Sequence, residues 1–152
     1  MSGERLALDT NVLAYAFDDL EPDRQARARE VIGRAARTAR CILSVQSVGE
    51  LHAVLRRRRL VPAVALAQSV RDLVTLFPIE GIAPADAELA LSAAAAGQLS
   101  YWDALLIATV TRAGCSVVLS EDMQDGAKVA GATLRNPFLG PTLPETIAVL
   151  LD

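Results

Sequence analysis

Four acidic residues stand where they can act together: Asp9, Glu50, Asp103 and Asp122. Asp9 closes the apolar run Leu6-Ala7-Leu8, and Asp122 follows Val117-Val118-Leu119. Asp103 precedes the strongly apolar segment 105–113, and Glu50 interrupts a segment carrying Val45, Val48, Leu51 and Val54. An acid on such a face is costly unless it is paired or bound to a metal. Each also has a local explanation: Asp9 as a helix N-cap, Asp103 as part of a capping box with Ser100, Asp122 as a turn residue, Glu50 as a solvated helix residue. As a group they imply more. Clustered carboxylates repel one another, and a hard oxygen-seeking cation such as Mg²⁺ or Mn²⁺ relieves that repulsion. A cation bridging carboxylates and a phosphodiester activates water for in-line displacement.

Other constellations compete poorly. His52 is the single histidine and has no neighbouring Ser/Asp pattern for a triad. There is no GxxxxGK[ST] and no GxGxxG. Two cysteines and one histidine without short ligand spacing do not close a zinc site. A phosphoacceptor receiver domain needs an acidic pair at its first strand and a late lysine. Only Asp9 stands at the first strand, and Lys128 is poorly placed.

The elements that must position the acids follow from periodicity. Strands are predicted at Arg5–Asp9, 41–43, 76–79 (an edge, because of Pro78), 116–119 and 132–135. Helices are predicted at 10–17, 24–37, from a Ser44 cap to about Arg58, from Pro62 to Leu73, at 85–96 ending at Gly97, from Ser100 to 113, and from Pro144 to Leu150. Strands alternating with helices imply an α/β fold with a largely parallel sheet. Ligands in such sheets bind beyond the carboxyl ends of the strands, where Asp9 and Asp122 fall.

With 52% hydrophobic and 22% charged residues, the chain suits one folded domain over residues 1–152 and excludes disorder as its main state. No apolar run approaches the ~20 residues of a membrane span, so no membrane partner is expected. The start MSGERLALD lacks the features of a secretory leader. Cys41 and Cys115 lie in strand-like stretches and read as reduced thiols, which fits a cytoplasmic protein. The net charge of −3 hides an asymmetry. Residues 24–59 hold ten arginines against Glu30 and Glu50, a net +8 in an otherwise acidic chain. Such a stretch can attract a polyanion, or be no more than a pair of solvated helix faces. Within it, Arg56, Arg57, Arg58 and Arg59 follow Glu50 by six to nine residues, roughly 9–14 Å along a helix, within reach of phosphates flanking a bond held at the acids.

The motifs in order resemble one family. LALDTNVLAYAF (6–17) is similar to the opening of PIN-domain nucleases, a strand ending in Asp-Thr/Ser-Asn. SVQSVGELHAVLRR (44–57), LSYWDALLIATVTRAGC (99–115) and VVLSEDMQDG (117–126) resemble the second, third and fourth motifs. The length resembles VapC-type toxins of bacterial toxin–antitoxin pairs. The resemblance implies a three-layer α/β/α sandwich, usually dimeric. It also implies a metal-dependent endoribonuclease that takes Mg²⁺ or Mn²⁺, with RNA as substrate and an antitoxin protein as partner. Asp9, Glu50, Asp103 and Asp122 match the acidic quartet, with Asp9, Asp103 and Asp122 as expected metal ligands. Thr10, Asn11 and Ser120 match the supporting positions. The fourth motif departs from the Thr-x-Asp-x-Asp-Phe often seen there, leaving Glu121 and Asp125 as candidate additional acids. An RNA-processing nuclease without an antitoxin, and a non-catalytic PIN-like binding module, are the alternatives.

Overall fold

The computed structural model describes residues 3–152; Met1 and Ser2, inside the expected 1–152 domain, lie outside the described residues. Six strands form one sheet: β1 (Arg5–Leu8), β2 (Cys41–Ser44), β3 (Ile79–Glu80), β4 (Cys115–Leu119), β5 (Lys128–Val129) and β6 (Ala132–Arg135). Their spatial order is β3-β2-β1-β4-β6-β5, parallel throughout except for the antiparallel β5–β6 pair. Leu6 and Ala7 of β1 pair with Cys41 and Ile42 on one side and with Val117 and Val118 on the other.

β1 and β4 are nearly continuous apolar runs because both sheet faces are covered. On one face Leu6, Leu8, Leu43, Val117 and Leu119 pack on helices α1 (Thr10–Tyr15), α2 (Pro22–Thr38), α3 (Val45–Arg57), α4 (Leu66–Val74) and the residues around α7 (Glu145–Ala148). On the other face Ala7, Ile42, Val118 and Leu134 meet Leu106, Ile107 and Val110 of α6 (Tyr101–Arg112), and α5 (Pro84–Ala95) packs outside through Ala90. The α/β/α layering expected from the sequence is therefore present. Residues one apart on a strand serve opposite layers, so Leu6 and Ala7 never share a core.

Several boundaries differ from the sequence reading. α2 begins at Pro22, not at Arg24, because proline is suited to the first helical turn. It buries Ala28, Val31, Ile32 and Ala35, an i, i+3, i+4, i+7 stripe. β3 lies at Ile79–Glu80 rather than 76–79. Pro78 has no N–H to give the ladder, although its carbonyl accepts from Leu43 N at 3.0 Å. α7 spans Glu145–Ala148, short of the expected Leu150. The hairpin strand β5 was not expected. It turns back at Ala130 and Gly131, both at positive φ.

β1 is the pivot of the topology. The chain leaves it toward β2 on one side and returns as β4 on the other. Between the carboxyl ends of β1 and β4 the loops diverge and leave a crevice, the usual ligand position of an open α/β sheet.

Candidate active site

Asp9 lies at the crevice floor, at the carboxyl end of β1, and is 7% exposed. Its backbone is extended, which lets it cap α1: Thr10 N donates to Asp9 Oδ1 at 2.7 Å. Ser120 Oγ, just past β4, donates to Asp9 Oδ2 at 2.8 Å, and Asn11 Nδ2 stands 3.4 Å from the same oxygen. Burial pushes the Asp9 carboxyl up from 3.8 to about 6. The hydrogen bonds from Ser120 and Thr10 oppose the rise, and the charges of Asp103 and Asp122 add to it.

Asn11 and Ser120 tie the strand ends together. Asn11 Nδ2 also donates to Asp122 Oδ2 at 3.0 Å and to Ser120 Oγ at 3.2 Å, while Asn11 Oδ1 accepts from Glu121 N at 3.2 Å. Ser120 Oγ accepts from Asp122 N at 3.2 Å. Glu50 enters from α3, where Ser44 caps the first turn by accepting from Ser47 N at 3.1 Å. Thr10 Oγ1 donates to Glu50 Oε2 at 2.8 Å and Gln46 Nε2 to Glu50 Oε1 at 2.9 Å. Asp103 rides the first turn of α6. Its backbone N–H donates to the Ser100 cap at 3.2 Å, and its carboxylate accepts no hydrogen bond among the described residues.

These four acids line one cleft of about 400 Å³, with Thr10, Asn11, Tyr15, Arg57 and Arg58 on its walls. Chain segments more than a hundred residues apart thus bring Asp9, Glu50, Asp103 and Asp122 together. The local explanations of the acids are partly true as well: Asp9 is an N-cap and still faces the cleft.

Glu121 and Asp125 are engaged elsewhere and line no part of this cleft. Glu121 accepts from Arg24 Nε and Nη2 at 3.1 and 2.8 Å. The Tyr15 phenol, pushed up to about 12 by burial and then by the hydrogen-bonded Glu121 carboxylate, sits under the same Arg24 guanidinium. Asp125 accepts from Asn136 N at 2.8 Å and faces Arg135, fastening the loop before β5.

The arginine run divides. Arg57, the last residue of α3, and Arg58, its C-cap, reach the acidic cleft, while Arg56, on another side of the helix, and Arg59, past the helix end at positive φ, border a separate groove with His52, Leu60 and Pro62. Arg58 also donates to Asp18 Oδ2 at 2.6 Å. Sequence reasoning missed Asp18, Gln46, Tyr15 and Arg24. Gln46 precedes Glu50 by four residues, a spacing that would have signalled a same-face pair. The Arg58–Asp18 and Arg24–Glu121 pairs are long-range and leave no local signal.

Among the described residues no three Asp, Glu, His or Cys side chains form a cage able to hold a metal by protein ligands alone. Mg²⁺ does not need one, since it takes one or two carboxylates and keeps several waters. The side chains of this open cleft that could ligate a metal, Asp9, Glu50, Asp103 and Asp122 with Thr10 and Asn11, offer oxygen and no thiolate or imidazole, and two neighbouring acids oppose the ionisation of the buried Asp9 carboxyl; this set fits such a cation and suits zinc poorly.

No curated protein matches the sequence. Solved structures similar in fold include the Mycobacterium tuberculosis toxin VapC20, described as cleaving the sarcin–ricin loop. It has a TM-score of 0.55 and 20% identity over 74% of this chain and 86% of that one. VapBC2 from Rickettsia felis, bound to a DNA fragment from its promoter, has a TM-score of 0.62 and 12% identity over 86% and 97%. A toxin–antitoxin complex from Klebsiella pneumoniae has a TM-score of 0.58 and 20% identity over 91% and 99%. The PIN domain profile matches residues 6–130, which takes in every acid of the cleft and most of the sheet, and the chain therefore belongs to the PIN domain family.

Proposed function

We propose that this protein is a Mg²⁺- or Mn²⁺-dependent endoribonuclease, the toxin of a type II toxin–antitoxin pair, acting as a homodimer in the cytoplasm. The observation that carries the reading is the meeting of Asp9, Glu50, Asp103 and Asp122 in one cleft at the carboxyl ends of β1 and β4. The fold likeness to a toxin described as cleaving the sarcin–ricin loop supports RNA as substrate, and the likeness to toxin–antitoxin complexes supports an antitoxin partner. Both cysteines are buried and free, in keeping with a reducing compartment.

In this reading Asp9, Asp103 and Asp122 would hold the cation, one or two of them directly and the rest through its waters. Such a cation, when bound, would supply Lewis-acid polarisation of the phosphodiester and a water acidic enough to be nucleophilic at neutral pH. Asn11 sets the relative position of Asp9 and Asp122 by donating to both. Ser120 favours the ionised form of Asp9 by donating to Oδ2. Glu50, held by Thr10 and Gln46, keeps its carboxylate turned to the cleft, where it takes the proton of the attacking water. Arg57, which has no acid partner among the described residues, holds a flanking phosphate.

The test is cleavage of a labelled RNA with added Mg²⁺ or Mn²⁺, with chelator, and with Asp9→Asn. Activity that requires the cation and falls by orders of magnitude in Asp9→Asn, with unchanged circular dichroism, is expected. Cleavage that persists in chelator or in Asp9→Asn sinks the metal mechanism.

A further inference from the structure

Beside the acidic cleft lies a second concavity of about 450 Å³, lined by Val45, Gln46, Gly49, Glu50, Ile82 and Trp102. It meets the cleft at Glu50, which lines both. Trp102 precedes Asp103 on the first turn of α6 and is 60% exposed; Val45 and Ile82 are also exposed. So large a ring open to water contributes little to the core.

Gln46 adds a second, independent observation. Its Nε2 donates to Glu50 Oε1 at 2.9 Å and to the Trp102 carbonyl at 3.0 Å. Two acceptors on that side fix the orientation of the amide. Gln46 Oε1 is left buried without a hydrogen-bond partner, the only such side-chain atom among the described residues. A buried acceptor without a donor is costly and calls for an explanation.

We propose that this groove is a nucleobase subsite, where Trp102 stacks on a base of the RNA strand whose phosphate lies in the adjoining cleft and where seating of the base opens Gln46 Oε1, sealed from water in its absence, to an N–H of that base. The proposal rests on the ribonuclease reading above and adds how the strand is gripped. A phosphate is repelled here by Glu50, and an aliphatic side chain leaves Gln46 Oε1 unpaired. A planar ring carrying an amino or imino N–H answers both the indole face and the orphan acceptor.

Trp102 is the only tryptophan in the chain, so intrinsic fluorescence reads the groove directly. The experiment titrates a short mixed-sequence single-stranded RNA into the Asp9→Asn protein, following fluorescence and RNA anisotropy together. It is repeated with Trp102→Ala and Trp102→Phe added and with RNAs made abasic at one position at a time. Saturable quenching that tracks anisotropy is expected, lost when one particular base is absent. Trp102→Ala should weaken binding by about 5- to 150-fold, the range of stacking one base, and Trp102→Phe should recover most of it. In the cleaving wild-type background, Trp102→Ala should raise KM more than it lowers kcat.

RNA binding with unchanged fluorescence, or with equal affinity in Trp102→Ala, overturns the subsite and leaves the ribonuclease reading standing. Absence of both RNA binding and cleavage overturns both. If sedimentation shows that Trp102→Ala dissociates a dimer while RNA affinity per protomer is unchanged, the groove belongs to a second copy of the chain and the subsite is overturned.

Discussion

Arg58 Nη2 donates to Asp18 Oδ2 at 2.6 Å, and Asp18 has no exposed surface. The pair pins the C-terminal end of α3 to the loop after α1, forty residues away in sequence. One arginine of the run is thereby committed to structure, while its neighbour Arg57 faces the same cleft without an acid partner among the described residues.

Replacing Arg58 with Gln leaves the Asp18 carboxylate buried without its charge partner. The guanidinium is partly exposed, which softens the cost, so a loss of about 1–3 kcal/mol is expected. Arg57→Gln should leave stability within ~0.5 kcal/mol and weaken RNA binding with a shallower salt slope. Urea titrations and anisotropy across a salt series separate the two variants, and equal effects on both measurements would refute the division of the run.

Asp9 makes the metal-free protein pH-dependent. Its folded pKa, about 6, lies above the ordinary 3.8, so the folded state holds the proton more tightly than the unfolded chain. The stability that follows is complete below 3.8 and is lost as pH rises through about 6, up to ~3 kcal/mol in all. Asp9→Asn should remove this slope and stabilise the metal-free protein at pH 7 by about 1–3 kcal/mol while abolishing cleavage. Mg²⁺ should stabilise wild type more than the variant. A variant less stable than wild type at pH 7 in chelator contradicts the account.

Ser120→Ala removes the donor to Asp9 Oδ2 and the acceptor of the Asp122 and Asn11 N–H groups. Without the donor, the Asp9 carboxyl should move further up, so the acid limb of the pH–rate profile should shift to higher pH. Stability should fall by about 1–2 kcal/mol. Ser120→Thr, which restores the hydroxyl, should return the limb toward wild type, and an unmoved limb in Ser120→Ala would show that the bond does not tune Asp9.

Arg112 lies in the last turn of α6, at the other end of that helix from Asp103. It donates to both oxygens of buried Asp86, to Glu80 Oε1 and to the Gly81 carbonyl, while Asp86 caps α5 by accepting from Ala83 N at 2.7 Å. The guanidinium holds the Asp86 carboxyl below the usual range. The stability it contributes is present above the ordinary carboxylate pKa and is lost as pH falls through the depressed value. Arg112→Gln should therefore lower Tm clearly at pH 7 and less at pH 3, with cleavage per folded molecule unchanged at neutral pH. A Tm deficit that is the same at both pH values would remove the charge pair as the cause.

The alternation of strands and helices, the apolar runs of β1 and β4, and the placement of Asp9 and Asp122 just past them were legible in the sequence. Each of these is written in local periodicity and in the residue that ends an element. Ser44 and Ser100 could be recognised as caps for the same reason. What tertiary structure decided was where each polar side chain points. Glu121 neighbours Asp122, yet it turns to Arg24, ninety-seven residues away, because β4 ends beside α2. Arg58 is drawn to a buried carboxylate that only the packing of α1 against α3 brings near. The shift of β3 past Pro78 and the β5–β6 hairpin depend on ladder partners that neither segment carries in itself. Local sequence determines which face of an element is apolar, and long-range packing determines which neighbour the polar face meets.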